Sequence, residues 1–315
     1  MIQGLLTRPK TDEIVSAFVE NVAGGTFHTD GPKFKSVDLN KPIACFGVLR
    51  GTGEIIKKAK SDVYYFDHAY LFGNRHNPSK EFDEKIYRLT KNWQHIVTIK
   101  KLTDKDKNRI EKYKPFINIK PWNKSGKDIV LCDIGPGAVD YYNSKHYDMK
   151  QWFNQTLGRL KHIYGGRPKD LNFIVRGKPT PDKEYRVESQ KAKSFDVHLY
   201  NAYAVVTFQS TIGITAILEG VPHFCDVTSM CAPVSRTGRG ESSVSKIKDP
   251  FYPDNRKEWI DSLLANQFTM SEIKNGTAWE HVKDIEGEKI AKTHEDYQVP
   301  VGLEIYLDHF RKNKR

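Results

Sequence analysis

The stretch Val205 to Pro222, VVTFQSTIGITAILEGVP, decides how the rest of the chain is read. It opens on an apolar run rich in β-branched residues, the pattern of a strand buried on both faces. The turn Gln209-Ser210-Thr211 follows, and a helix is predicted over 212–219, closed by Gly220 and followed by Pro222. Strand, polar turn and helix in succession form the repeating unit of an α/β protein with a mainly parallel sheet.

The same unit recurs outward from this stretch. DIVLC at 128–132 predicts a buried strand running into Asp133-Ile134-Gly135-Pro136-Gly137, with a helix at about 149–164. LNFIV at 171–175 predicts another, ending in Arg176-Gly177-Lys178-Pro179, and AVVTF at 204–208 is the strand of the opening stretch. Towards the N-terminus, EIVSAFVENVA at 13–23 has helical spacing, and PIACFGVL at 42–49, VYYFDHAYLF at 63–72 and HIVTI at 95–99 read as strands. The Lys-rich stretch 100–127 reads as a linker or surface excursion. It places a boundary near residue 125, between a basic domain over 1–125 and a second domain over 126–315 that ends in helices from Trp259 onward.

Composition narrows the function classes. The chain has 315 residues and a formal net charge of +11, with no apolar run of the length a membrane helix needs. The basicity is concentrated: 23 Lys/Arg against 14 Asp/Glu in residues 1–125 gives +9, and 27 against 25 in the remainder gives +2. A local excess of this kind attracts polyanions, nucleic acid among them, although a solvated Lys-rich surface has the same count. Cys45, Cys132, Cys225 and Cys231 are too few and too scattered for a disulfide framework and read as buried thiols. No secretory signal is apparent at Met1, so a cytoplasmic protein is expected. The GxxxxGK[ST] loop is absent, and the eleven histidines show no metal-ligand spacing.

Several residue groups have the chemistry of a site. Ser210 and Thr211 at a helix start, with backbone N–H groups near Gly213, form a candidate phosphate cradle, and Gly213 permits a close approach. A plain N-cap has the same appearance. Arg176 and Lys178, past the end of a neighbouring strand, lie at the same sheet edge and could clamp a diphosphate. Asp67 and His68 end a strand among aromatic residues and are candidate catalytic bases; a loop cap and a core histidine are the structural alternatives. Arg50, Arg88 and Lys91 are candidate phosphate contacts, and Tyr70 belongs to the aromatic group that would meet a base or sugar. Asp104-Lys105-Asp106 reads as a surface loop, and 238–243 as a mobile loop.

The opening stretch resembles the nucleotide-sugar half of GT-B glycosyltransferases, in particular the capsule-polysaccharide and glycerophosphotransferase-like branch. That pattern usually reads Ser-Thr-x-Gly-x-Glu-Ala; here Thr215 stands at the Glu position before Ala216, and Glu219 is the nearest carboxylate. With Asp62 to Phe72, Tyr87 to Asn92, Arg176 to Pro179, Asp249 to Asp254 and Gln267 to Thr269, the chain also resembles glycosyltransferase-like proteins encoded by bacteriophages. The resemblance implies two Rossmann-like domains facing a cleft, with mainly parallel sheets. It further implies a nucleotide-diphosphate sugar, expected to be a UDP-sugar, held by Arg176, Lys178, Gln209, Ser210, Thr211, Gly213 and Glu219 without a required metal. The acceptor expected from the charge split and the phage resemblance is a hydroxymethylated base in duplex DNA, in the host cytoplasm. Such a base must be flipped out to be reached. A surface polysaccharide or teichoic-acid-like polymer is the alternative acceptor, and a non-catalytic nucleic-acid-binding protein of the same fold is the third reading.

Overall fold

The computed structural model describes residues 1–29, 33–73, 82–143, 148–164, 172–177 and 199–287. In chain order its first part runs β1 (Gln3–Leu5), α1 (Pro9–Glu20), β2 (Thr26–His28), β3 (Ile43–Phe46), α2 (Thr52–Lys58), β4 (Val63–His68), β5 (Ile86–Lys91) and α3 (Asp104–Ile110). The second comprises β6 (Asp128–Cys132), α4 (Pro136–Tyr142), α5 (Trp152–Ile163), β7 (Asn172–Arg176), β8 (Ala202–Val206), α6 (Ile212–Leu218), β9 (His223–Asp226) and β10 (Arg236–Gly238). The chain then returns through α7 (Arg256–Ala265), β11 (Gln267–Thr269), α8 (Met270–Lys274) and α9 (Thr277–Val282).

The strands form two sheets, one in the order β11-β5-β4-β3-β1-β2 and one in the order β10-β9-β8-β6-β7. Every pairing is parallel except β4 with β5 and β5 with β11. The expected α/β class with two mainly parallel sheets is therefore what the chain forms. The strands of the two sheets separate at about residue 125 with one exception, because β11 at 267–269 closes the edge of the first sheet. The helices after it follow: Asn21 at the end of α1 donates from its side-chain amide to the Ile273 carbonyl at 3.0 Å, and Trp279 meets the ring of Phe18.

Alternation along β3 and β4 divides the first core in two. Ala44, Phe46, Tyr64 and Phe66 face α1 and pack around Phe18. Ile43, Cys45, Val63 and Tyr65 face the other way, into a cluster shared with Ile129, Leu131, Ala204, Val206 and Phe208 of the second sheet. One apolar core thus runs through both sheets. All four cysteines are buried free thiols, as their scatter suggested.

Two segments differ from expectation. HIVTI at 95–99 is not a strand: it crosses the seam between the sheets, where Ile96 is buried with Ile214, Ile217 and Trp259. Its apolarity comes from that burial, not from pairing in a ladder. The Lys-rich stretch contains α3, whose Thr103 and Asp106 form a reciprocal capping box, so Asp104-Lys105-Asp106 is the first turn of a helix.

Candidate active site at the seam of two sheets

In parallel α/β sheets the backbone leaves each strand's carboxyl end in a loop, and ligand-binding residues gather there. The turn after β3, residues 47–51, holds Gly47, Arg50 and Gly51 at positive φ, which lets it fold back sharply. It abuts the turn after β6. A Cβ placed on Gly137 would lie 3.4 Å from Leu49, one on Gly53 would lie 3.0 Å from Tyr141, and the Lys57 ammonium sits 5.0 Å from the Tyr141 ring centroid. Trp93 Nε1 donates across the seam to the Thr228 carbonyl at 3.2 Å. The carboxyl ends of both sheets therefore open on one line.

On the first-sheet side the expected residues are used internally. Asp67 and His68 are successive residues of a strand and project to opposite faces. Asp67 shares a face with Tyr65, whose hydroxyl donates to it at 2.9 Å; His68 lies edge-on to Phe46 on the other. Arg88, opposite Asp67 in the ladder, donates to its carboxylate at 2.8 Å, to the His68 carbonyl at 2.8 Å and to the Gln94 carbonyl at 3.1 Å. Burial disfavours the Asp67 charge, but Arg88 and the His68 N–H outweigh it and hold the carboxyl below its ordinary range. A carboxylate so stabilised is a weak proton acceptor.

Arg88, Tyr70 and Lys91, expected to meet acceptor phosphate or base, have partners within the protein. Arg88 is 5% exposed and committed to Asp67; Tyr70, equally buried, lies beneath the Arg88 guanidinium and accepts from the Ile96 N–H at 2.9 Å. Lys91 pairs with Asp62 at 3.2 Å and donates to the Lys283 carbonyl. Arg50 alone of the four stands exposed, at the tip of the seam turn. Several lysines of this part sit against carboxylates, Lys41, Lys57, Lys107 and Lys114 within it and Lys112 and Lys120 against Glu272 and Glu219 of the second part, so most of the +9 excess is left unmatched.

The second sheet presents its edge differently. Thr211 is exposed and makes no side-chain cap bond, and Ser210 is half-buried beside it. The N–H groups expected for a phosphate cradle are taken: those of Gly213 and Ile214 donate to the carbonyls of Ser210 and Thr211 at 3.0 and 2.9 Å. Gly213 is small for an internal reason, since a Cβ there would lie 2.6 Å from the His223 ring and 3.0 Å from Cys231 Sγ. Glu219, at the far end of α6 and ~12 Å away by helical rise, pairs with Lys120 and does not join the cradle. Arg176 ends β7, beside Cys132 on β6. Lys178 lies outside the described residues.

Gln209 donates to Thr228, whose hydroxyl and N–H donate to Asp226; the other Asp226 oxygen accepts from the Gly240 N–H at 2.9 Å. This chain of bonds ties Gly240, within the 238–243 segment expected as a mobile loop, to the end of β9. Residues 240–244 form a short 3-10 turn. Among the described residues no group of three or more His, Cys, Asp or Glu is placed to hold a metal, and no helix is long and apolar enough to cross a membrane.

Sequence reading missed the residues that line the seam itself. Gln94 and His95 follow the end of β5, and Tyr141 projects from α4; each is less than a tenth exposed. The helix expected after the Gly135-Pro136-Gly137 turn was placed at about 149–164, so α4 and the Tyr141 on it were not foreseen.

No protein-family model matches the chain, and no curated protein matches it in sequence. Among solved structures it is similar to "Thermosulfurimonas dismutans KpsC, beta Kdo 2,7 transferase", with 14% identity over 89% of this chain and 99% of that chain and a TM-score of 0.48. It is also similar to "Thermosulfurimonas dismutans KpsC, beta Kdo 2,4 transferase", with 11% identity over 88% and 98% and the same TM-score.

Proposed function

We propose that this chain is a glycosyltransferase that takes a sugar from a nucleotide-diphosphate donor at the second sheet's edge and passes it to an acceptor hydroxyl at the seam. The observation that supports this most is the meeting of the turn after β3 with the turn after β6, which brings together carboxyl ends of two mainly parallel sheets, where such sheets bind ligands. Arg176, Ser210 and Thr211 supply the donor side with a cation and two hydroxyls, of which that of Thr211 makes no cap bond to α6.

A surface polysaccharide or a related hydroxylated polymer is one acceptor consistent with this reading, and several of the first part's lysines are matched by carboxylates and not held for a polyanion. The +9 excess supports the second reading, duplex DNA with a hydroxymethylated base.

The test is a thermal-shift screen against nucleoside diphosphates and UDP-sugars, repeated with Arg176→Ala. A ligand at ~100 times its dissociation constant adds ~2.7 kcal/mol of apparent stability. One nucleotide family is expected to stabilise the wild-type chain and to lose that effect in the variant; no shift with any of them would remove the transferase reading. For the acceptor, affinity for duplex DNA measured at 50 and 200 mM salt should fall steeply if several phosphates are held. A flat response removes DNA.

A further inference from the structure

Among the described residues, four other than glycine hold a positive φ: Phe34, Arg50, Phe72 and Asn92, at 38°, 61°, 61° and 67°. That region is disfavoured for residues with a side chain, asparagine being the usual exception. Packing or hydrogen bonding accounts for three of them. Phe34 is 2% exposed in the core, and Phe72 stacks on Tyr113 with ring centroids 5.7 Å apart. Asn92 accepts from the Val63 N–H at 2.8 Å and donates to Asp62 at 3.0 Å. Arg50 has no such support: its side chain is exposed, with no hydrogen bond or ion pair to it among the described residues. The turn that carries it borders open space, since a Cβ on Gly47 would meet no atom within 4 Å. Its neighbour Leu49 is 48% exposed and lies against Gly137 in the turn after β6. A strained backbone that the fold itself does not need, at the place where the carboxyl ends of two sheets meet, points to a use in binding.

We propose that Arg50 is the contact for an oxyanion, carboxylate or phosphate, carried by the acceptor; this rests on the glycosyltransferase reading and gives its acceptor side a binding residue. The guanidinium sets the ligand class. Its planar fork of N–H donors matches two oxygens of a carboxylate or phosphate, whereas a neutral sugar would leave the charge unanswered. The other cations on this side are committed: Arg88 to Asp67 at 2.8 Å, Lys91 to Asp62 at 3.2 Å and Lys57 to Glu54 at 3.2 Å. Arg50 can therefore meet an incoming anion without first giving up an ion pair. Its place separates it from the donor. The strand that leads into its turn, β3, belongs to the first sheet, while Arg176, the cation of the donor side, ends β7 of the second. The open space beside Gly47 is room for the ligand, and Leu49 offers it an apolar neighbour.

The experiment is saturation-transfer NMR titration of the full chain with glucuronate and glucose 6-phosphate as sugar anions, glucose as their neutral counterpart, and a mixture of nucleoside diphosphates. It is applied to the wild type, Arg50→Gly and Arg50→Lys, with melting temperatures alongside. Glycine relieves the left-handed backbone, so Arg50→Gly should melt at the wild-type temperature or up to about 3 °C above it. At least one sugar anion should bind the wild type more tightly than glucose does and lose about tenfold in Arg50→Gly, the size of a charge-assisted contact. Arg50→Lys keeps the charge without the fork and should lose about threefold. The preferred anion, carboxylate or phosphate, names the acceptor group. No sugar anion bound by the wild type, equal binding in Arg50→Gly, or a melting temperature more than about 5 °C below wild type in that variant would each overturn the proposal. Nucleotide binding lost in Arg50→Gly would also overturn it, by moving the residue to the donor. Anion binding lost in Arg50→Gly, with no nucleotide bound by any of the three proteins, would keep the contact and sink the transferase reading.

Discussion

The two sheets meet at the same seam with their functional-looking residues put to opposite uses. At the first, Asp67, Arg88, Tyr65 and Tyr70 satisfy one another, and the charged pair is a fixture of the wall. At the second, Thr211 is exposed with no cap bond to make, while the glycine two residues on is packed against His223 and Cys231. Burial separates the two cases. A charged residue at a strand end inside the core must find a partner there, because an unpaired buried charge costs several kcal/mol. A hydroxyl at the surface is under no such demand and remains available.

The most severe way to break this contrast is Arg88→Met. It leaves the half-buried Asp67 carboxylate beside Tyr65 with no counter-charge and removes three hydrogen bonds, and urea denaturation should show a loss of about 3 kcal/mol. The double variant Arg88→Met/Asp67→Leu should recover much of it. If the single variant were as stable as the wild type, the pair would be no fixture.

Gly213→Ala should come next, at about 1 to 3 kcal/mol. The new methyl meets the His223 ring, which cannot turn aside because Thr207 and Ser235 hold its two nitrogens at 3.1 and 2.9 Å. A neutral or stabilising result by the same denaturation assay would mean that the glycine is kept for a ligand and not for packing.

Acid sharpens the comparison through the same ring. Burial pushes His223 from 6.5 down to about 3. Between those values the unfolded chain binds a proton that the folded one refuses, so stability falls as pH falls from about 6.5 towards 3, at up to ~1.4 kcal/mol per pH unit. His95, also held neutral in the fold, adds a limb of the same sign at the seam. His223→Gln should roughly halve the measured slope of stability between pH 6.5 and 5; an unchanged slope would place the titration elsewhere. The smallest effect belongs to Thr211→Ala, expected within ~0.5 kcal/mol of wild type. It should nevertheless weaken any nucleoside diphosphate that the chain binds.

Legibility in the sequence followed the same division between local and distant causes. DIVLC at 128–132 is β6 to the residue, and the helices at 152–163 and 212–218 fall where the apolar spacing put them, because strand burial and helix periodicity are written in neighbouring residues. The strands at 3–5, 26–28, 236–238 and 267–269 have three residues each, too few to show a period. The candidate site was legible as an edge and not as a set of contacts. Arg88 was visible as a cation and Asp67 as a carboxylate, but their antiparallel register depends on β5 turning back along β4. His95 was hidden in an apolar pentapeptide, and its packing beside Tyr70 appears only once the seam exists.

The return of β11 to the first sheet also imposes an order on synthesis. Until Gln267 to Thr269 emerge, β5 is an open edge with unpaired backbone groups, and roughly 175 residues separate the two strands. At the ribosome's pace of about 5 to 20 residues per second, that edge is exposed for about 9 to 35 s. During this interval it is a template for any neighbouring nascent chain. Crowded polysomes and overexpression should therefore be where this protein is lost to aggregation, and slowing translation upstream of residue 267 should worsen the loss.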